Sequence, residues 1–271
     1  MLGKPVPLTE QIVKKYAPKV WLAKGETYNP SSVAFHLQNV KVYDGNRAFS
    51  STPSTLPTCS VNCYMSSNQH LDEASDRLPF FSGERVTSSH QPPVYAVAKQ
   101  ITPTTTDIFY WMFYPYNRGK RVCIGVRILG SCVGGYSTFG HHVGDWEHMK
   151  IRLENGQPIS IYVSAHDFGG EYYWDAASQT YNKPGDIVRT DGTHPVLYSA
   201  KGSHGLWSTP GTRTYKSIPI NNKLQDETSA GTAWDTWKNV PFTMHRPDGG
   251  YTGSWTWLNF KGRWGNRKSG Y

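Results

Sequence analysis

A chain of 271 residues can form one large β domain, because all-β sandwiches and barrels often run to such lengths undivided. Charged residues make up 18% and aromatics 14%, with 26 Gly and 18 Pro punctuating the chain, which excludes long helices and a disordered tail and predicts short strands joined by turns. The formal charge of +8, from 28 Lys and Arg against 20 Asp and Glu, favours anionic partners; the cations are scattered apart from Arg118-Gly-Lys120-Arg121 and residues 263–268, so nucleic acid is not expected and a membrane surface is.

At the start of the chain Lys4, Pro5, Pro7 and Glu10 interrupt any apolar run, so no signal-peptide core is read there, and no stretch is long enough to span a bilayer. Thr9 is expected to cap a short helix through Tyr16, with Ile12, Val13 and Tyr16 on one face and Pro18 ending it. Most of the chain beyond Pro18 reads as strand: residues 33–42 alternate, and 94–97, 108–114, 148–153 and 159–163 are β-branched or aromatic runs bounded by turn residues. In Asp107-Ile-Phe-Tyr-Trp-Met-Phe-Tyr-Pro115 aromatics occupy both faces, which predicts a strand covered on both sides and ended by Pro115. Asn155-Gly156, Asp191-Gly192 and Asp248-Gly249 are turn signals, the first placed as a hairpin requires. Without an internal repeat or a linker, the fold class is all-β: a single-domain β-sandwich over 1–271, with short peripheral helices and no sequence feature demanding more than a monomer.

Four cysteines fall in two close pairs inside loop-like stretches. Cys59 with Cys63 and Cys123 with Cys132 are the expected disulfides among the three possible connectivities, with free thiols as the alternative. Neither pair has the short spacing of a tetrahedral zinc site.

The segment Gly140-His141-His142-Val143-Gly144-Asp145-Trp146-Glu147-His148 is where the chemistry concentrates. In an extended chain Asp145 and Glu147 point to the same face, and Gly140 and Gly144 let the backbone bend so that His142 reaches the same point. Two neighbouring carboxylates repel unless something neutralises them, and a divalent cation with one imidazole is one solution. Mg²⁺, Ca²⁺ or Mn²⁺ suits that donor set, Mg²⁺ or Ca²⁺ foremost, with Zn²⁺ or Fe²⁺ as alternatives if a further histidine joins from His141, His148, His166 or His204. The competing reading pairs the carboxylates with Arg or Lys.

The same segment resembles the Gly-His-Arg-His-Asp-Trp-Glu signature of the necrosis- and ethylene-inducing cytolysins. The resemblance implies a cation held by His142, Asp145 and Glu147 beneath a membrane-binding rim. The second histidine of that signature falls on Gly144, and the strand Tyr110-Trp-Met-Phe-Tyr-Pro-Tyr-Asn117 places Asn117 where those proteins supply a further aspartate. Over nearly the whole chain, Lys15-Tyr-Ala-Pro18, Tyr28-Asn-Pro-Ser-Ser-Val33, His142-Val-Gly-Asp-Trp-Glu147, Tyr198-Ser-Ala-Lys-Gly-Ser-His204 and Gly262-Arg-Trp-Gly265 are similar to the vacuolar protein sorting-associated protein 62 family. That likeness implies a shared core over about 12–266. It also draws His166, in Ser164-Ala-His-Asp-Phe-Gly-Gly170, and Ser203 and His204 toward the site as second-layer or pocket residues.

Three functions are compatible with these residues. The first is a metal-binding, toxin-like protein engaging membrane glycolipid or glycan, with Trp174 and Trp207 as interface candidates. The second is a metal-dependent hydrolase, for which no nucleophile motif is present. The third is an intracellular trafficking or scaffold protein with a structural site. An extracellular location is expected if the cysteines are paired, and a vacuolar or cytoplasmic one otherwise.

Overall fold

The structure, a computed structural model, describes residues 8–67, 78–166, 169–218, 222–246 and 249–266. The larger of its two main sheets has eight strands, in spatial order Asp186–Val188, Thr180–Lys183, Gly170–Asp175, Gln157–Val163, His142–Glu154, Thr105–Asn117, Val94–Gln100 and Phe242–Met244. Neighbours are antiparallel except the last pair. The smaller sheet orders Thr190–Asp191, His194–Ser199, Lys19–Leu22 and Thr232–Asp235, with Leu206–Trp207 added alongside His194–Ser199. This is the all-β, sandwich-like class that the composition predicts.

Period-two alternation decides which side chains meet. Ile108, Tyr110, Met112 and Tyr114 share a buried core with Met149, Ile151 and Leu153 of the neighbouring strand and with Val20, Leu22, Leu197 and Trp234 of the small sheet. Phe113, one residue out of phase, instead meets Trp146 and Trp264. These belong with a second core built by the helix Val33–Asn39 and the 3-10 turn Gly253–Asn259. The central strand is thus covered on both sides at Phe113, as its aromatics predict, while Trp111 stays half-buried against His148.

The helix Glu10–Tyr16 forms as expected, with Thr9 Oγ1 accepting the Ile12 N–H. The hairpin at Asn155-Gly156 also forms, both residues taking the positive φ of a tight turn. Two expectations are corrected. Residues 33–42 do not form one strand: Ser32 caps the helix Val33–Asn39, whose buried Val33, His36 and Leu37 have helical spacing, before the strand Lys41–Asp44. Pro115 does not end its strand, which runs on to Asn117. The Phe113 carbonyl accepts from Ser31 N–H, so that side of the strand lies beyond the end of its neighbour. Two residues on, Pro115 faces the same way and its missing N–H costs no ladder bond. Asp248 of the third turn pair, Asp167, Phe168 and the last basic residues lie outside the described residues.

The C-terminal segment crosses the His142–Glu154 strand at a pair of glycines. A Cβ on Gly144 would stand 2.2 Å from the Trp264 carbonyl oxygen, and one on Gly265 would stand 1.8 Å from that of Val143. Gly144 also has φ of +68°. Beneath the crossing, buried His36 donates from Nε2 to the Trp264 carbonyl at 3.1 Å, while its Nδ1 has no hydrogen-bond partner. Burial outweighs that hydrogen bond and lowers the His36 pKa to about 4.

Gly144→Ala combines steric overlap with a left-handed backbone and is expected to cost roughly 3 kcal/mol or more. Gly192→Ala, at a positive φ but in open space, is expected to cost about 1 kcal/mol. Urea titration of both checks the comparison, and equal costs would show that the crossing is not tight. For His36, the unfolded chain takes up a proton below pH 6.5 whereas the folded protein does so only near 4. Stability is therefore complete above 6.5 and falls by about 3 kcal/mol as pH drops through that window. The stability difference between wild type and His36→Gln is expected to shrink by that amount between pH 7 and 4, and a constant difference would contradict the assignment.

Candidate functional site

Asp145 and Glu147 sit at alternate, inward-facing positions of the His142–Glu154 strand, only 8% and 7% exposed. Their shared face is the one read from the spacing. Asp145 Oδ2 accepts from His204 Nδ1 at 3.0 Å, and its Oδ1 lies 3.7 Å from His142 Nε2. His142 is aimed there by a hydrogen bond from Nδ1 to the Gly144 carbonyl at 3.0 Å. Glu147 Oε2 accepts from Ser164 Oγ at 2.6 Å, and that same Ser164 oxygen accepts the His148 N–H.

A third buried carboxylate, Asp226, completes the cluster from the strand Asn222–Thr228. Its Oδ2 accepts from His166 Nε2 at 2.8 Å and Trp207 Nε1 at 2.9 Å; its Oδ1 accepts from Ser203 Oγ at 2.6 Å and faces Lys120 Nζ at 3.3 Å. Ser203 and His204 are adjacent, so their side chains diverge, and each grips a different acid. The turn that carries them is closed by His204 N–H donating to the Ala200 carbonyl. His166 and His204 both hold positive φ, at 49° and 62°, and each imidazole stacks on a tyrosine, Tyr215 at 4.1 Å and Tyr114 at 3.8 Å. Strain at two histidines of one cluster marks it as a place where side-chain position overrides backbone preference.

The carboxylates are compensated in different ways. Burial would raise Asp145, but the His204 hydrogen bond and the nearby His142 outweigh it and hold it below the usual range. Burial, reinforced by Asp145 alongside, pushes Glu147 well above the usual carboxylate range, which favours its protonated form. For Asp226 burial is outweighed by His166 and Lys120, and its pKa falls to about 2.

The expected ligand set is only partly gathered. His142 and Asp145 stand at a separation that one divalent ion bridges. Asn117 Oδ1 accepts the Gly119 N–H at 2.7 Å, and Glu147 is engaged by Ser164. His204 adds a buried Nε2 with no hydrogen-bond partner, a nitrogen chemically suited to a cation. Among the described residues the three acid, thiol or imidazole donors closest together are Asp44, Cys59 and Cys63, and both sulfurs are spent in a disulfide. His148 is not in the cluster; its ring stacks with Trp111 and Tyr162 on the other face. His141 lies half-buried just before the strand. Trp174 packs on Tyr181 and Trp207 bonds Asp226, so neither is the free interface residue expected.

The apolar surface lies elsewhere. Of the twelve large hydrophobic residues exposed among the described residues, seven fall within 124–139, including Ile128 and the fully exposed Leu129. This segment is a ribbon in which Lys120–Cys123 pairs with Tyr136–Phe139 and Val126–Ile128 with Ser131–Val133. Its feet continue the central strand pair at Asn117 opposite His142. The Cys123–Cys132 disulfide ties it, and Cys59–Cys63 is the second bond, as the spacing predicts. Sequence reasoning missed the ribbon and Asp226. The latter had a signal: it occupies the buried phase of an alternating strand, between Leu224 and Thr228.

The sequence profile of the vacuolar protein sorting-associated protein 62 family matches residues 5–269. The chain belongs to this family. A putative vacuolar protein sorting-associated protein of Saccharomyces cerevisiae, TDA6, is 24% identical over 94% of this chain and 60% of its own length. Vacuolar protein sorting-associated protein 62 of the same yeast is 30% identical over 60% of this chain and 35% of its own. The chain therefore spans less than two thirds of the length of either relative. Two solved structures are similar at low level: one described as a toxin fold for microbial attack and plant defense (TM-score 0.34, 15% identity, 89% of this chain and 76% of that one) and NLPPya in complex with mannosamine (TM-score 0.35, 13% identity, 94% and 81%).

Glu147 supplies a test of the charge assignment. Its folded pKa lies above the unfolded 4.5, so its contribution is present below that value and is lost as pH rises. Glu147→Gln escapes that loss. Without added cation it is expected to match wild type near pH 4.5 and to gain relative stability toward pH 8, whereas Asp226→Asn, which unbalances four donors, is expected to cost roughly 3 kcal/mol at pH 7. Urea unfolding across pH reads both, and a Glu147→Gln variant less stable than wild type at pH 8 would mean that Glu147 is ionised.

Proposed function

We propose that the protein binds membrane surfaces through their glycolipid or glycan headgroups, in the manner of a cytolysin, with the end of the sandwich that carries Asp145 and the disulfide-tied ribbon. The ribbon is the observation that supports this reading. It leaves Ile128, Leu129 and Val133 to water, while its feet and body carry Arg118, Lys120, Arg121 and Arg127 and the segment 118–139 contains no acidic residue. Apolar area moved into the interface gains about 25 cal/mol per Å². Each nearby cation adds about 1 kcal/mol against an anionic leaflet. No helix among the described residues is long and apolar enough to cross a bilayer, so docking at the surface is the mode proposed. Two disulfides suit an oxidising compartment, which favours a secreted or lumenal setting.

A divalent cation, Mg²⁺ or Ca²⁺, would be held by His142 and Asp145 with Glu147 as the adjacent carboxylate. When bound, it would supply the charge that lets both carboxylates ionise and a coordination partner for sugar hydroxyls. His204 orients Asp145 from behind, and Ser164 and Ser203 hold the flanking acids in place. These hydroxyls point at carboxylates and not at an imidazole, so neither serine has the base that a hydrolytic nucleophile needs. The trafficking reading draws on the names of the yeast relatives.

Liposome flotation over a range of salt tests the proposal. Ile128→Asp with Leu129→Asp is expected to reduce vesicle binding at least fivefold at every salt concentration, and Asp145→Asn to remove the part of binding that chelator removes from wild type. Asp191→Asn, which loses only an exposed contact to Lys19, is expected to behave as wild type. If the ribbon variant and Asp145→Asn both float like wild type, the reading fails.

A further inference from the structure

Beside the foot of the ribbon lies a cavity of about 390 Å³, of a size typical of small-molecule sites. Six cations line it: Arg118, Lys120, Arg121 and Arg127 from the ribbon side, and Lys201 and Lys223 from the facing turn and strand. Two acids, Glu26 and Glu227, accompany them. Glu26 is committed to structure, accepting the N–H groups of Thr27 and Tyr28 at one oxygen and that of Gly202 at the other. Lys120 is likewise committed, to Asp226 and to the Lys201 carbonyl. The wall is fixed, since Arg118 N–H donates to the Gly202 carbonyl on the opposite side.

Four of the lining cations, Arg121, Arg127, Lys201 and Lys223, are under-compensated. Arg121 lies over the ring of Tyr136 at 4.4 Å, a contact that leaves its charge unneutralised. Among the described residues Arg121, Arg127, Lys201 and Lys223 form no ion pair with a carboxylate. Like charges gathered around a concave surface repel one another and focus a positive potential, both relieved by a multivalent anion. Arginine forks and lysine ammonium groups together match phosphate oxygens, and Thr27 and Gln225 on the same wall offer hydrogen bonds to hydroxyls.

We infer that this cavity binds the phosphorylated polyol headgroup of an acidic membrane lipid. Arg127 argues for a lipid source over a free phosphate ester. It lines the cavity from the strand whose opposite face exposes Val126 and Ile128, so a headgroup held there lies one strand's thickness from side chains suited to the acyl boundary. The assignment of a lipid rests on the membrane reading above, whereas the assignment of a phosphate-bearing anion does not.

The test separates the two. Soluble inositol bisphosphate is titrated calorimetrically into wild type, into Lys201→Ala with Lys223→Ala, and into Lys41→Ala with Lys99→Ala, which removes the same charge from exposed positions outside the cavity. The expected result is binding to wild type, at least tenfold weaker in the cavity pair and changed less than twofold in the control pair. No binding to wild type, or equal weakening in both pairs, overturns the site. Wild type is then floated with phosphatidylcholine vesicles containing phosphatidylinositol phosphate or, at equal surface charge, phosphatidylserine. Preference for the former supports the lipid. Equal flotation on both, or binding of the soluble headgroup without any flotation, overturns the lipid assignment and, in the second case, the membrane reading with it.

Discussion

Three carboxylates buried at one end of a β-sandwich set the terms for everything near them. Asp145, Glu147 and Asp226 cannot all be charged, close together and dry without compensation. The fold compensates each differently: Asp145 by two imidazoles, Glu147 by a serine hydroxyl and a raised pKa, and Asp226 by an imidazole, an indole, a hydroxyl and an ammonium. Donors for this come from segments far apart in the chain, which is why the loops after Val163 and Ser199 and the strand at Lys120 converge here.

The ribbon is a product of the same arrangement. It is an excursion between the two central strands, leaving at Asn117 and returning at His142, so its base inherits the position of the acid cluster. Lys120 does double duty, balancing Asp226 inside and forming part of the basic cavity outside. The +8 net charge is therefore unevenly distributed, since the cations around the cavity have few acids near them while the interior acids are already matched. Long-range attraction to an anionic surface would fade over a Debye length of about 8 Å at physiological salt, leaving the apolar tip to set the salt-independent part of any docking.

Much of this is legible from residue order. Thr9, Asn155-Gly156 and the shared face of Asp145 and Glu147 follow from capping, turn chemistry and a period of two, and the cysteine spacing points to both disulfides. The misreadings have physical causes. Residues 33–39 contain apolar side chains compatible with either period, and only the Ser32 cap favours the helix. Pro115 breaks a strand only if its missing N–H would have faced a neighbour, which depends on where the adjacent strand stops. Asp226 belongs to the site through partners far away in sequence, and local pattern marks it only as an acid in an apolar phase. The ribbon is hidden in the sequence because Gly and Ser between its apolar residues resemble an ordinary loop.

The strand bearing Asp145 is held from both faces, and that limits how the site can respond to a ligand. On the inner face His204, stacked on Tyr114, bonds the carboxylate; on the outer face the Trp264-Gly265 crossing presses against Gly144 with no room for a Cβ. Neither contact can loosen without exposing a core: the first would leave Asp145 uncompensated, and the second would uncover Trp146, Trp257 and the neutral His36 beneath Trp264. Backbone movement at Asp145 is thus disfavoured in both directions. His142, whose side chain is 44% exposed and is held by the carbonyl of its own bend and a 3.7 Å approach to Asp145, is the member of the cluster least restrained by packing. A cation entering beside Asp145 would therefore be met by His142 adjusting toward a fixed carboxylate.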